Sequence, residues 1–446
     1  MTHVAVVGSG PAGVFCAKAL RARGVRVTIL DAGERLDPER QRVVDALAAR
    51  PPSEWAAEDV AAIAGNPTVA SQAIPTKLAF GSPYVYGRDR PFAPLDSAPG
   101  GPAPTYAQGG FSTVWGGAML PAANVDLGAW PFDSDRLEPH YRAVLRDVPL
   151  CARDDGLTAA FPLHGEPKEL APPPQAEALL ADLGGAREAL AREGAVAGRA
   201  RLAVHAAGRH ACVRCGLCLS GCPVGAIYGT VEGLANLQRD PAVEYRSGRV
   251  VTAVDQDEHG VRIDFAPIAG TAPNSEHFTH VFLAAGALNS TRILLQSRRD
   301  FDRPLPLLDS QKVLVPMLRL RRVRGAAVAA GNVLAAAFVE VLDPRVSPHW
   351  IHLQISPISR LVLQRLGAAN PDGLRARLGG PLLDRIMTVW GGVHSDHSGS
   401  VEVRLRNDRG PLSVRVLARP ETSAVLRGVR AKVARLAPLF GARALT

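Results

Sequence analysis

Aromatic residues are scarce in this sequence. Phe, Trp and Tyr together supply 5% of its 446 residues. Proteins that hold nucleic-acid bases stack them on aromatic side chains within basic grooves, and such platforms are thin here. Long apolar runs are missing too. No uncharged stretch reaches the roughly 18 residues that a membrane span needs, and the longest candidate, 325–339, is Ala-rich and shorter. No secretory leader is visible, because Met1 runs directly into an apolar strand and a Gly-rich turn. Cysteine is sparse, with 6 in the chain, four of them in one short run. That is no secreted disulfide framework. The expectation is a cytoplasmic protein with no membrane span and no nucleic-acid partner.

The formal net charge is +9, carried almost entirely by arginine. The arginines are spread along the chain, at Arg21, Arg23 and Arg26, then Arg319 to Arg324, then Arg427 to Arg435. A dispersed pattern reads as a solvated basic surface. Arg319, Arg321, Arg322 and Arg324 form the one cluster dense enough to meet an acidic partner. The length suggests two or three domains.

The N-terminus carries the first chemistry. "HVAVVGSGPAGVFCAKALRARGVRVTILDAGE" spans His3 to Glu34. It reads as a buried strand, Val4 to Val7, a helix to about Arg23, and a second strand, Val25 to Leu30, that ends at Asp31. Gly8, Gly10 and Gly13 make G-x-G-x-x-G in the strand–turn–helix context that a dinucleotide site requires. Gly8 permits the tight turn, Gly10 lets a pyrophosphate reach the helix N-terminus, and Gly13 lets the helix lie close to the sheet. Asp31 is placed to accept from the ribose hydroxyls, which favours FAD or NAD over NADP. Cys16 shares a helix face with Gly13, Ala17 and Leu20 and reads as core.

The second chemistry is "CVRCGLCLSGCPVGAIY", Cys212 to Tyr228. Cys212, Cys215, Cys218 and Cys222 stand at C-x2-C-x2-C-x3-C with Pro223 following, a ferredoxin-like spacing. Three readings stay open: an iron–sulfur cluster, a four-thiolate zinc site, or plain structural cysteines. In two-cluster ferredoxins the fourth Cys of such a run serves a different cluster, so both 3Fe–4S and 4Fe–4S remain options. His205 and His210 precede the run and read as supports for its loop.

Three further stretches narrow the family: "GGFSTVWGGAMLPA" (Gly109 to Ala122), "WPFDSDRLEPHYRAVL" (Trp130 to Leu145) and "VFLAAGALNSTRILLQS" (Val281 to Ser297). Together with the N-terminus they resemble the glucose–methanol–choline family of FAD-dependent oxidoreductases. The resemblance runs in order from residue 1 to about 300 and is looser from there to about 440. It implies an α/β protein, α+β overall, with a Rossmann-like FAD-binding domain and a second, antiparallel-sheet substrate domain. The expected division assigns 1–125 and 200–300 to FAD binding, with the Cys-rich loop 212–222 inside it. Residues 126–199, with the Pro/Ala-rich connector "ELAPPPQAEALLADLGG", and 301–446 form the substrate domain. "KVLVPMLRL" and "SVEVRLR" alternate in strand fashion within that part.

The resemblance also implies roles. Ser112, Thr113, Trp115, Gly116 and Gly117 wrap the flavin, Val251 meets adenine, and Ala284, Ala285 and Gly286 belong to a returning strand that passes the cofactor. Some bacterial sugar dehydrogenases of the family carry a stretch like "CPVGAIY", where a cluster takes electrons from the flavin. This implies a dehydrogenase that oxidises a CH–OH group of an alcohol or sugar-like substrate. Its electrons would leave through the cysteines to an acceptor protein, a quinone or a cytochrome. Family members continue past a stretch like Leu436–Thr446 with the segment that carries their catalytic His, so no matched base is expected here. "GGVHSDHSGSV" offers His394 and His397, with Asp396, as substitutes, against the simpler reading of a surface turn. The alternatives are a non-catalytic or incomplete flavin subunit that needs a partner chain, and an oxygen-using alcohol oxidase without a cluster.

Overall fold

A computed structural model describes residues 2–64, 77–88, 90–98, 101–266, 274–326, 331, 333–357, 380–408 and 410–445. Part of the Ala-rich run 325–339 and Thr446 lie outside them. Four parallel strands form the nucleotide-type sheet, in the order Val243–Arg246, Arg26–Leu30, His3–Val7, His280–Leu283. The two central strands, Arg26–Leu30 and His3–Val7, are almost continuously apolar because both their faces are covered. Val6, Val27 and Ile29 pack against Val14 and Ala17 of the Pro11–Arg21 helix and Leu234 of the Thr230–Leu237 helix. Ala5, Val7 and Leu30 turn the other way, onto Val251, Ile263 and Phe278 of a three-stranded antiparallel sheet. Cys16 packs into the first of these layers. Pro11 opens its helix at a position where a missing N–H costs nothing, and Lys18 and Arg21 sit in the last turn, where the dipole favours cations.

A six-stranded antiparallel sheet runs in the order Ala442–Ala444, Lys312–Arg319, Ile386–Gly392, Ser347–Pro357, Ala337–Asp343, Ala195–Arg199. Side chains alternate across it. One face, with Val315, Val339, Leu353 and Val389, is sealed by Leu179 and Leu183 of the Pro174–Gly185 helix and Val429 and Val433 of the Thr422–Leu436 helix. The opposite face carries Phe338, Glu340, His352, Gln354 and Trp390.

Three sequence expectations shift. The Pro/Ala-rich "connector" is largely helix, Pro174–Gly185. Pro174 sits at the tolerated start of that helix, and Ala176, Leu179 and Leu183 recur at helical spacing and are buried. The two alternating stretches of the C-terminal part enter different sheets. Lys312–Arg319 joins the six-stranded one, whereas Ser400–Leu405 lies in a four-stranded sheet ordered Leu305–Leu308, Ser400–Leu405, Leu412–Leu417, Leu95–Ser97. The arginine cluster is only partly a free surface, with Arg321, Arg322 and Arg324 exposed. Arg319 is 2% exposed and pairs with Asp182, and Arg322 pairs with Asp384. Among the described residues, no helix is long and apolar enough to cross a membrane.

Candidate functional site

The first loop builds a cradle from backbone. Gly8 lies at φ +104°, and a Cβ there would come within 2.6 Å of the Ala284 carbonyl oxygen. A Cβ on Gly13 would sit 1.9 Å from the Gly8 oxygen, so the helix can approach only with glycine at that position. Gly10 differs. Its nearest protein neighbour to an added Cβ is 3.9 Å away, which leaves open space above a helix N-terminus that has no side-chain cap. Uncapped amides of this kind suit a phosphate.

Asp31 stands at the end of its strand, 7% exposed. It accepts from Ser9 Oγ and, at 3.0 Å, from Tyr245 OH. Burial raises its pKa, and the bonds from Ser9 and Tyr245 and the Gly33 amide oppose that rise. Ser9 Oγ also accepts from the Gly109 amide at 2.9 Å. Ser112 Oγ donates to Gly109 O at 2.6 Å and accepts from the Thr230 amide at 3.0 Å, while Thr230 Oγ1 donates to Ser9 O at 2.9 Å. Ser9, Ser112 and Thr230 are buried and knot the first loop, the Gly-rich motif and the Thr230–Leu237 helix together. Ser9, Thr230 and Tyr245 escaped the sequence reading. The only signal for Thr230 was Gly229 before an apolar helix.

These groups enclose a cavity of about 520 Å³. Of the residues expected to hold a cofactor, Gly8, Gly10, Asp31, Ser112, Trp115, Val251, Ala285 and Gly286 line it. Gly13 lies beneath it, against Gly8. Thr113 turns away and donates to Gly110 O at 2.9 Å. Gly116 is exposed, and Gly117 accepts from the Ala203 amide at 2.7 Å as the chain crosses toward the cysteine loop. Ala284, Ala285 and Gly286 follow the strand, which ends at Leu283, and form the turn into the Ala287–Arg298 helix.

The cysteine loop abuts this wall. Each of the four sulfurs receives a backbone amide: Cys212 from Arg214, Cys215 from Leu217, Cys218 from Val333 and Cys222 from Ala226, the last at 3.1 Å. Burial pushes the Cys215 thiol up to about 11 and the Cys218 thiol to about 12, with the neighbouring cysteines adding to both. Zinc thiolates at Zn–S ≈ 2.3 Å lie about 3.8 Å apart. Among the described residues, the ligand-type atoms that gather within 4.8 Å of one another are those of Asp126, His349 and His394, not three of these sulfurs. Four thiols with amide support are a donor set that suits either an iron–sulfur cluster or zinc. His205 accepts from the Cys212 amide through its carbonyl, and His210 Nδ1 lies 3.0 Å from Val224 O, so both brace the loop. Lys77 Nζ donates to Trp115 O at 3.0 Å, and its charge is felt by the Cys218 and Cys222 thiols. Burial lowers its pKa to about 8 against their pull.

His394 and His397 do not line the cavity. They flank the short turn after the Ile386–Gly392 strand. The His394 ring stacks on His349 with centroids 3.7 Å apart, and His397 Nε2 lies 3.1 Å from Ser347 Oγ. His349 Nε2 is 3.0 Å from Asp396 Oδ2. The two rings lie 14° from parallel, and Asp126, His349 and His394 hold ligand-type atoms within 4.8 Å of one another.

Comparison with known proteins agrees with this architecture. A family model described as an NAD(P)-binding Rossmann-like domain matches residues 6–37. The solved structure of pyridoxine 4-oxidase from Mesorbium loti superposes with a TM-score of 0.55 at 14% identity, covering 99% of this chain and 82% of that one. At that identity the likeness is one of fold. The structure of p-nitrophenol 4-monooxygenase from Pseudomonas putida DLL-E4 aligns over 98% of this chain and 81% of its own, at 16% identity and a TM-score of only 0.28. No curated protein matches the chain. The molecule is therefore a mixed α/β protein with a Rossmann-like domain and additional antiparallel sheets.

Proposed function

We propose that this chain is an FAD-dependent oxidoreductase that oxidises a CH–OH group, and that its electrons leave through an iron–sulfur cluster on Cys212, Cys215, Cys218 and Cys222. The observation that carries the reading is the shared wall. Trp115 lines the dinucleotide cavity, and its carbonyl oxygen is held by the lysine that lies in the field of two of the four thiols. Lys77 thus relates the cavity lining to the cysteine loop, and that proximity supports a flavin with a one-electron outlet.

The residues divide the work. Gly8 and Gly10 offer backbone to the pyrophosphate, Asp31 accepts from the ribose, and Val251 meets adenine. Ser112 and Trp115, with Ala285 and Gly286, border the flavin. When bound, FAD supplies a hydride acceptor and the cluster a one-electron carrier. The substrate is a small alcohol or sugar-like molecule, and an acceptor protein, quinone or cytochrome collects the electrons. The assignment of 1–125 and 200–300 to FAD binding, and of the remainder to the substrate side, belongs to the same proposal.

The competing reading of structural cysteines has one observation behind it: without a metal, burial keeps Cys215 and Cys218 protonated. Anaerobic purification with flavin, iron and sulfide assays decides between them. Flavin with stoichiometric iron and sulfide is the expected result. Anaerobic bleaching of the flavin by one of a panel of alcohols, pyridoxine and sugars among them, then tests the CH–OH chemistry. Flavin without iron removes the cluster, and a flavin that no alcohol bleaches removes the dehydrogenase.

A further inference from the structure

Three segments far apart in the chain meet beside the six-stranded sheet. Asp126 ends the short turn Asn124–Asp126, soon after the Gly109–Ala122 motif. His349 lies in the Ser347–Pro357 strand, and His394 follows the Ile386–Gly392 strand. Each of the three brings one ligand-type atom within 4.8 Å of the other two. Their side chains are 24%, 16% and 23% exposed, in that order, so an ion can enter from solvent while packing holds the donors. Asp126 Oδ1 is anchored by the Trp350 amide, which donates to it at 3.1 Å. The His349 and His394 rings are anchored by their stack.

Both nitrogens of His349 face oxygens that only accept. Nδ1 lies 3.3 Å from Val125 O and 3.6 Å from Asp126 Oδ1, and Nε2 lies 3.0 Å from Asp396 Oδ2. A neutral imidazole has one N–H, which leaves one of those edges unserved. Two arrangements serve both: an imidazolium, or a cation at the Nδ1 edge with Nε2–H on Asp396. The surroundings favour the cation. A carboxylate behind a ligating His fixes the ring and raises its basicity, and Asp396 stands behind two. Its Oδ2 also lies 3.5 Å from His394 Nδ1, and its amide is 3.2 Å from the same nitrogen. Zinc ligands at about 2.0–2.2 Å in a tetrahedron stand about 3.4 Å apart. Asp126 Oδ1 and His349 Nδ1, at 3.6 Å, already have nearly that spacing, and a turn of the partly exposed His394 ring closes the rest. Two imidazoles and one carboxylate suit zinc or a similar divalent transition ion, and are too rich in nitrogen for calcium or magnesium.

We propose that Asp126, His349 and His394 bind a zinc ion, with Asp396 as the acid that orients both rings and water completing the coordination. The ion ties the segment after the Gly-rich motif to two neighbouring strands of the six-stranded sheet. None of these residues lines the nucleotide cavity. The site needs neither flavin nor the cysteines, so it stands apart from the function proposed above.

The test measures zinc bound per chain after anaerobic dialysis of the full chain against zinc chloride, for wild type, Asp126→Asn, His394→Ala and Asp396→Asn. All four carry the same cysteines, so metal held by thiolates cancels in the differences. Wild type is expected to hold about one zinc more per chain than Asp126→Asn or His394→Ala. Asp396→Asn should need roughly 10- to 100-fold more zinc for half saturation, and excess magnesium or calcium should leave the wild-type zinc in place. Equal zinc in wild type and both ligand variants overturns the site and makes His349 an imidazolium. If the variants do not fold, wild type alone decides. Saturating zinc is expected to slow diethyl pyrocarbonate modification of His349 and His394, mapped by mass spectrometry, by about tenfold or more. Modification as fast with zinc as without it overturns the site.

Discussion

Lys77 Nζ donates to the carbonyl oxygen of Trp115 at 3.0 Å, and the same ammonium feels Cys218 and Cys222. One cation therefore serves both the cavity wall and the thiols. Replacing it with Met removes a positive charge that stabilises an added electron on a nearby cluster. In iron-loaded protein, Lys77→Met is expected to lower the cluster midpoint potential, read by an EPR-monitored redox titration. An unchanged potential limits Lys77 to supporting Trp115.

The glycines of the first loop separate folding from binding. In Gly13→Ala, a methyl group would lie 1.9 Å from the Gly8 oxygen, so helix and sheet must part. The expected cost is about 1–3 kcal/mol or more, seen as a lower Tm and lost flavin. Gly10→Ala meets no protein atom nearer than 3.9 Å and sits at φ −66°, so its Tm without flavin should match wild type. Its flavin affinity should still fall, by about tenfold or more, each tenfold being about 1.4 kcal/mol. Equal flavin affinity in Gly10→Ala and wild type argues against a pyrophosphate at that amide.

Cys218 is the most enclosed of the four thiols. Cys218→Ser is expected to lose iron and sulfide while flavin stays near one per chain, because the cavity lining contains no cysteine. Iron and flavin assays on the same sample check this. Retained iron with an unchanged EPR signal removes Cys218 from the ligand set.

Asp343 anchors the C-terminal helix to the six-stranded sheet. It accepts from the buried Lys432 Nζ at 2.8 Å and from Arg345 at 2.8 Å, and these bonds hold its carboxyl well below the usual range. A carboxylate whose pKa is lower in the folded state stabilises above the unfolded value, near 3.9, and that stability is lost as pH falls further. Asp343→Asn leaves Lys432 with Glu193 alone and should cost about 3 kcal/mol at neutral pH. Its Tm should also fall less steeply than that of wild type between about pH 4 and pH 2. Parallel acid profiles for the two proteins would count against the pairing.

Local signals were enough for much of this molecule. The strand–glycine–helix–strand opening is written in neighbouring residues, because a tight turn, an uncapped helix start and a terminal acid all act within one loop. It reads from the sequence almost to the residue, whereas of the five residues expected from the Gly109–Gly117 motif only Ser112 and Trp115 line the cavity. The Pro-rich stretch before the Pro174–Gly185 helix misled because proline breaks a helix inside but opens one at its start. Only burial of Leu179 and Leu183 in a distant core decides which.

Pairing between distant strands is set by which faces meet, and no local pattern states that. His352 and Glu340 are twelve residues apart on alternating strands that look like any half-buried pair. Sheet register brought them to 2.6 Å and burial gave the acid its cost. Thr230, Tyr245 and Lys77 reached the cavity and the cysteines in the same way, through contacts more than 35 residues away in the chain that only close packing of the layers creates. What the sequence by itself determined was the nucleotide cradle and the spacing of the four cysteines. The tertiary structure alone decided which polar groups are shut away from water and therefore forced to pair.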